Sequence, residues 1–463
     1  MDAALVLGAM LLGAVFALGA FLAGPFTVLL ALLGLAAACV TIWRPVIGIA
    51  IAFVLLPVGN AGLASLPAPE GGQAPVWLLP LGWVAFVSLV SLVHLVNRRE
   101  GAEPPRMSVA VSVYLAAAFA AAALGGDLSA SIPILRSLFT GFLLFLSVAF
   151  VVRTRADIAW VLGGIAVAGA ILGGYAGYQY GTGYAGSEGF LTSTGELVQR
   201  ATGGLGHPNA AGGFFAMLAP LILAGAFVAR RGRWLFLGAL ALVLLGLYVS
   251  FSRAALLALG VAPILLLRDR RALLLVPALV ILLLTAAPRM VEERFATLSS
   301  SGSEFATRAD FFETAQFIWT EHPVFGVGLG GFPEAYADAR VAGKQFLPDT
   351  VFKPPPDAHN IFLQHLAEQG LIGLSVLLAL LTVATRAALR VRRAPGLLGR
   401  LGTGMLGVLA VYLVTNQFSV TFIEVSSTVF LGILGLLSAA HAMALAEEGG
   451  DGSMPDLAKE MPG

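Results

Sequence analysis

The chain has 463 residues, of which 58% are hydrophobic and only 11% are charged, and its mean hydropathy is +0.89. A soluble domain carries about 25% charged residues, so this composition excludes an ordinary water-soluble protein. The net charge of +1 gives no reason to expect a nucleic-acid partner, and the single cysteine, Cys39, excludes an intramolecular disulfide.

Apolar runs of about 18 or more residues recur along the chain, as in membrane-spanning helices. A membrane β-barrel would show short segments of alternating polarity instead. The first run lacks a positive leader and a cleavage site, so we interpret it as a retained helix. We predict an all-α polytopic membrane protein with about 12–14 transmembrane helices and a large outer loop that contains short helices. The apolar segments are 3–23, 25–43, 45–58, 77–97, 107–124, 129–152, 156–180, 209–229, 234–250, 254–267, 271–288, 359–385, 400–417 and 424–445.

Arginine residues occupy every second connection between these segments, and the positive-inside rule places such connections in the cytoplasm. Both termini are then cytoplasmic. The predicted division is an N-terminal transmembrane region (1–288), a periplasmic loop (289–358), a C-terminal transmembrane region (359–445) and a cytoplasmic tail (446–463). The basic connections contain Arg44, Arg98 to Arg106, Arg153 and Arg155, Arg230 to Arg233, Arg268 to Arg271, and Arg386 to Arg400.

The loop 289–358 is too long for a plain connection, and loops of that length carry function or are disordered. Its many aromatic residues and the helical pattern from Thr307 to Trp319 indicate a folded segment. Arg308 lies in this pattern as a candidate site residue. The alternative is an amphipathic helix that rests on the membrane, with Arg308 paired to Asp310 or Glu313.

Two further outer connections carry candidate anion-binding residues. Arg200, His207 and Asn209 lie in a glycine-rich stretch before a predicted helix, where backbone N–H groups and a guanidinium can bind phosphate. The alternative is a glycine-rich turn at a helix start. Arg253 follows Ser252 in a tight turn, where an arginine at membrane depth indicates a functional site. It could instead extend to the headgroups. Arg136, two turns inside the sixth segment, is a lesser candidate for lining a cavity.

His359 lies where the long loop meets the next apolar helix, which suits a general base at a water-accessible membrane boundary. Asp357 could orient its imidazole. The alternatives are a plain polar residue at the start of a helix, and a metal site with Asp357, His359 and His365, although this spacing matches no zinc pattern. We interpret His207 and His322 as turn residues and expect His365 to face elsewhere.

These motifs together resemble the O-antigen ligase superfamily, which also contains O-antigen and exopolysaccharide polymerases. The resemblance is detailed over about residues 200–375, and the chain has more N-terminal apolar segments than the usual twelve-helix plan. The residues that carry it are Gly206-His207-Pro208-Asn209, Ser252-Arg253, Arg308, Ala315, Trp319, His322 to Phe332, and His359 to Gly373.

The resemblance implies a metal-independent, inverting glycosyltransferase without a cofactor, at the periplasmic face of the bacterial inner membrane. The donor would be an undecaprenyl-diphosphate-linked glycan within the membrane lipids. His359 would be the catalytic residue, and Arg200 and Arg253 would bind the diphosphate. The acceptor would be lipid A–core in a ligase, or another glycan in a polymerase. A lipid-linked glycan transporter is a less favoured alternative, because such proteins need internal repeats and ionisable residues near the membrane midplane.

The predicted topology can be tested by cysteine accessibility labelling in a Cys39→Ser background. A cysteine at Ser301 should react with a membrane-impermeant reagent added from the outer side, because 289–358 is predicted to be periplasmic. A cysteine at Gly396 should be protected. The reverse pattern would overturn the predicted orientation of the whole chain.

Overall fold

The computed structural model describes residues 25–60, 78–97, 106–125, 127–183, 189–191, 197–229, 232–266, 302–341, 357–420 and 425–450. The predicted segments 3–23 and 271–288, much of the loop 289–358 and most of the tail lie outside the described residues. Within the described residues there are 14 helices and one short hairpin, so the all-α class is confirmed.

The helices are numbered in chain order. They are α1 (Pro25–Trp43), α2 (Pro45–Asn60), α3 (Leu78–Asn97), α4 (Arg106–Leu124), α5 (Leu128–Val151), α6 (Arg155–Thr182), α7 (Pro208–Val228), α8 (Arg233–Val249), α9 (Arg253–Leu266), α10 (Gly302–Glu321), α11 (Phe332–Val341), α12 (Ile361–Val391), α13 (Gly396–Thr415) and α14 (Val425–Gly450). Strands β1 (Gly189–Leu191) and β2 (Leu197–Gln199) pair antiparallel between α6 and α7.

Eight of the described helices are long and apolar enough to cross a membrane, namely α3 to α7 and α12 to α14. They pack around one continuous apolar core, in which α5 lies against α14, and α7 contacts α8 and α13. The polytopic membrane class predicted from composition is therefore confirmed.

Basic helix ends gather at one end of the bundle. Arg155 pairs with Glu447 at 2.9 Å, and Arg390 pairs with Glu448 at 3.1 Å. Arg400, at the start of α13, donates to the Phe227 carbonyl at the end of α7. The helix ends that border the candidate site residues lie at the opposite end of the same helices. This arrangement agrees with the alternation of arginines in the sequence. Which end of the bundle faces the cytoplasm stays a prediction.

The described part of the long loop forms two helices, α10 and α11. The helix predicted over Thr307–Trp319 lies inside α10. A second, small apolar cluster joins the two helices to α12, and Tyr336 donates to Asp310 inside it. The cluster consists of Phe311, Ala315, Ile318, Phe332, Tyr336, Ala358 and Ala367.

The segment predicted as one continuous apolar helix over 359–385 is broken in the structure. Gly370 has φ 63° and ψ −161° inside α12. Before the break, the carbonyls of Ala367 and Glu368 accept from the backbone N–H groups of Val327 and Gly328, both at 2.9 Å. After it, Leu371 donates to the Pro323 carbonyl at 3.0 Å and Ile372 to the Val324 carbonyl at 3.4 Å. The loop between α10 and α11 therefore supplies the hydrogen bonds that the broken helix loses.

The same loop rests on the turn between α4 and α5. The Ser131 hydroxyl donates to the Leu329 carbonyl at 2.6 Å, and Gly125 lies directly against Gly328. Helix α5 begins with Asp127 as its N-cap, and hydrogen bonds from the hydroxyl and backbone of Ser129 lower the pKa of this carboxyl. The loop is thus held between α12 and the start of α5.

Gly370→Ala should lower the free energy of unfolding by about 1–3 kcal/mol or more. Alanine disfavours positive φ, and its methyl group would collide with the Val324 carbonyl. Gly174→Ala in α6 is the matched control, since its added methyl group meets nothing within 4 Å. Thermal unfolding in detergent measures both variants. Equal melting temperatures would contradict the structural importance of the break.

Candidate functional site

A cavity of 620 Å³ lies beside the break in α12 and brings together three of the six histidines of the chain. His207 reaches it from the start of α7, His359 from the turn before α12, and His365 from α12 itself. Asp357 and Glu368 also line its polar end. The cavity continues between helices into an apolar part lined by Ile134, Leu138, Leu377, Leu380, Tyr412, Phe430 and Leu431.

His359 is held in a strained backbone conformation. Its φ is 52°, a left-handed value that costs a non-glycine residue about 1 kcal/mol or more. The Asp357 carboxylate accepts from the backbone N–H of His359 at 2.7 Å, and its Oδ1 lies 3.4 Å from the imidazole Nδ1. The ring also stacks on Phe311 at a centroid distance of 5.2 Å. Nδ1 itself has no hydrogen-bond partner. The carboxylate therefore fixes the backbone of His359, and Phe311 packs against its imidazole.

Side chains of α12 hold the strained turn in place. The Gln364 amide oxygen accepts from the Ala358 N–H at 2.6 Å, while its NH₂ group donates to Glu368 Oε1 at 2.7 Å. Asn360 caps the helix by accepting from the N–H groups of Phe362 and Leu363. These bonds to consecutive turns of α12 offset the strain at His359.

Arg200 and the Ser250 turn, which are distant in sequence, meet directly. The guanidinium of Arg200 is buried, and it donates from Nε to the Ser250 carbonyl at 3.0 Å and from one NH₂ group to Asn209 Oδ1 at 2.6 Å. Arg200, the residue after β2, thus connects the start of α7 to the turn before α9. Its observed contacts are with protein groups, which gives it a structural role in addition to any ligand role.

His207 connects this region to the cavity. It is the N-cap of α7, and its Nδ1 accepts from the N–H of Asn209 at 3.0 Å. In a neutral imidazole the proton then lies on Nε2. The residue predicted as a turn residue is therefore a helix cap that also lines the cavity.

The turn before α9 carries the second strained residue. Among the described non-glycine residues, only Phe251 and His359 have positive φ, and Phe251 has φ 49°. The neighbouring Ser252 hydroxyl is buried without a hydrogen-bond partner. Arg253 is half-buried at the first position of α9. One strained residue is thus the predicted catalytic His359, and the other lies two residues before Arg253, which is predicted to bind the diphosphate. Backbone strain tends to occur at functional sites.

Arg308 and Arg136 lie elsewhere. Arg308 is half-buried on α10, in the helix that supplies Phe311 to the His359 ring. Arg136 is exposed on α5 and is not among the residues that line the 620 Å³ cavity, whereas its neighbours Pro133 and Ser137 are. The structure therefore gives no support to Arg136 as a residue of this cavity.

His365 was expected to face elsewhere, and this prediction is wrong. The residue is buried, lines the cavity and contacts the Tyr114 hydroxyl through Nε2 at 3.1 Å. Its Nδ1 lies 2.8 Å from the Ile361 carbonyl. A signal existed in the sequence, because Gln364, His365 and Glu368 form one polar face on an otherwise apolar helix. Tyr114 carried no such signal.

In the described part of the chain, no three His, Cys, Asp or Glu side chains come close enough together to hold a metal ion. Asp357 faces His359, while the two nitrogens of His365 face Tyr114 and Ile361. The alternative of a metal site shared by Asp357, His359 and His365 is therefore not favoured by the geometry, and metal independence stays a prediction.

A family model described as O-Antigen ligase matches residues 238–378. The matched region contains the Ser252-Arg253 turn, both loop helices, His359 and the break in α12. The match supports the O-antigen ligase superfamily, whose members are glycosyltransferase-like enzymes. No curated protein matches the chain.

Arginine-to-lysine variants should distinguish the roles of Arg200 and Arg253. Arg253→Lys should lower transfer strongly and leave the melting temperature near that of the wild type, because lysine lacks the planar fork that grips a phosphate. Arg200→Lys should lower both, because one ammonium cannot serve both the Ser250 carbonyl and Asn209. Transfer assays and thermal unfolding measure these effects. Full activity of Arg253→Lys would exclude a bidentate role and leave only a role for its charge.

Proposed function

We propose that this chain belongs to the O-antigen ligase superfamily and transfers a glycan from undecaprenyl diphosphate to an acceptor at the periplasmic face of the bacterial inner membrane. The proposed acceptor is lipid A–core, which makes the chain an O-antigen ligase. The observation that carries the proposal is the Asp357–His359 pair in a cavity with one polar and one apolar end.

The proposed reaction is a single displacement. The imidazole of His359 accepts the proton of the acceptor hydroxyl while the hydroxyl oxygen attacks the anomeric carbon of the donor glycan. The bond between that carbon and the diphosphate oxygen breaks, and undecaprenyl diphosphate leaves with the bonding electrons. The configuration at the anomeric carbon is inverted. Asp357 stabilises the imidazolium that forms, because its carboxylate lies 3.4 Å from Nδ1.

The departing diphosphate gains negative charge and needs preorganised cations or hydrogen-bond donors. Arg253 is the first candidate, since it stands at the start of α9 beside the unpartnered Ser252 hydroxyl. Arg200 contacts the same turn through the Ser250 carbonyl. Asn209 and His207 extend this group to the cavity through the start of α7.

The apolar part of the cavity suits the polyprenyl chain of the donor. Leu377 and Leu380 lie roughly 20 Å farther along α12 than His365, at 1.5 Å per helical residue, and both line the same cavity. Phe430 and Leu431 of α14 complete this wall. A lipid held between α12 and α14 would bring its diphosphate to the polar end.

The alternative is an O-antigen or exopolysaccharide polymerase. The same residues would catalyse the same displacement, and only the acceptor would differ, being a second lipid-linked glycan. Deletion of the chain distinguishes the two. Free lipid-linked polymer together with bare core supports the ligase, whereas single capped repeats without polymer support the polymerase.

If His359 is the general base, the transfer activity of His359→Ala should be about 10²–10⁴-fold lower than that of the wild type. The variant should still bind undecaprenyl diphosphate. His322→Ala is the matched control, because His322 is exposed outside the cavity and should retain activity. His207 and His365 are unsuitable controls, since both line the cavity.

The measurement uses purified enzyme with lipid-linked donor, with and without EDTA. Full transfer by His359→Ala would remove the base assignment. Loss of wild-type activity in EDTA would support the metal alternative.

A further inference from the structure

We propose that the turn 323–325, which lies between α10 and α11, enters the bilayer and binds the acyl chains of lipids. The turn belongs to the long loop that the sequence analysis places in the periplasm, where a surrounding of water would be expected. The inference is independent of the proposed reaction, because the turn lies outside the 620 Å³ cavity.

The turn exposes two large apolar side chains next to each other. Val324 is 48% exposed and Phe325 is 51% exposed, and Pro323 before them is exposed as well. Leu371 and Ile372 of α12, at 48% and 42% exposure, adjoin the turn, since their N–H groups donate to the carbonyls of Pro323 and Val324. These five residues form the apolar patch. An exposed patch of this kind marks a surface that binds a membrane or a partner.

The apolar patch continues along a helix that is long and apolar enough to cross a membrane. The longest apolar stretch of α12 begins at Leu371, and Arg386 is its one charged residue before Arg390, which pairs with Glu448. Leu371 lies 19 residues before Arg390, which corresponds to a rise of about 28 Å. Leu378, two turns beyond Leu371 on the same face, is 45% exposed.

The length of this stretch sets the depth of the turn. The hydrocarbon core of a bilayer is about 30 Å thick, so a helix with Arg390 at one boundary has Leu371 at the other. The backbone of the turn is hydrogen-bonded to Leu371 and Ile372. The turn therefore lies at the boundary of the hydrocarbon, and its exposed side chains meet lipid there.

The backbone of the turn meets the main requirement for contact with lipid, which offers no partners for polar groups. The carbonyls of Pro323 and Val324 accept from α12, and the His322 carbonyl accepts from the Gly326 N–H at 3.1 Å. The Trp319 indole also donates to the Pro323 carbonyl, at 3.3 Å. Tryptophan is enriched at the interface between membrane and water, so Trp319 suits this position.

Carboxylates of the two loop helices lie in a different place. Glu321, Glu334 and Asp338 line a separate cavity of 360 Å³, together with Asp127 from the start of α5. The five residues of the apolar patch do not line this cavity. Because carboxylates are costly to remove from water, this division orients the loop. The acidic cavity faces water, and the apolar patch faces lipid.

The test uses the full chain with Cys39→Ser, in nanodiscs of phosphatidylcholine and phosphatidylglycerol. A nitroxide spin label is attached to Phe325→Cys, to Leu378→Cys or to Glu334→Cys, which are three exposed positions. Power saturation compares collisions with oxygen, which concentrates in lipid, and with a water-soluble nickel complex. The label at position 325 should favour oxygen, as at position 378, whereas the label at position 334 should favour nickel.

A second comparison tests whether the native side chain holds the turn in lipid. Phe325→Ser should shift a label on Val324→Cys toward nickel, because the turn loses its largest apolar group. Leu389→Ser is the matched control, since Leu389 is 44% exposed near the basic end of α12 and its loss should leave the label unchanged.

Two outcomes would overturn the inference. In the first, the label at position 325 favours nickel as strongly as the label at position 334, which places the turn in water. In the second, the label at position 325 is shielded from both oxygen and nickel, which means that protein covers the apolar patch. None of these measurements uses transfer activity, so a failure of the proposed function and a failure of this inference are distinguishable.

Discussion

The exchange of backbone hydrogen bonds at the break in α12 is the constraint on which the site depends. A helix interrupted within a membrane protein leaves carbonyl and N–H groups unpaired, and each costs about 1–3 kcal/mol when buried. Here residues 323–328 satisfy both sides of the break. Gly326 and Gly370 are needed because both have positive φ and any Cβ would strike the opposing backbone. Two motifs that are separate in sequence therefore form one structural unit.

The break turns the start of α12 into a short helix whose polar face lines the cavity. Its side chains serve two purposes. Gln364 and Glu368 fix the turn before the helix and the start of α11, while His365 orients Tyr114. Stability and chemistry are coupled here through Glu368. It accepts from Phe332 at the start of α11 and from Gln364, whose amide oxygen holds the turn before His359. Changes in this loop would move the imidazole without touching it.

The fold class and the helix inside the long loop could be predicted from the sequence, since both depend on apolar periodicity and composition. The individual motifs at Arg200, Arg253 and His359 were also recognisable. The contact of Arg200 with the Ser250 carbonyl was not, because it joins residues with no periodic relation. The break at Gly370 was missed for a similar reason. A glycine in an apolar run is compatible with a continuous helix, and its replacement hydrogen bonds come from a distant loop.

The proposed displacement, which uses no metal, needs the arginines that bind the diphosphate kept apart from the carboxylate that supports the base until the substrate is bound. In the proposed reaction, an arginine beside His359 would favour the loss of a proton from the imidazolium. It would also pair with Asp357, and His359 would then be a weaker base. The structure holds Arg200 against Ser250 and Asn209, and holds Asp357 against His359. His207 stands between the two groups, bonded to Asn209 and open to the cavity. A glycan whose diphosphate lies near α9 and whose anomeric carbon faces His359 would then complete the connection between them.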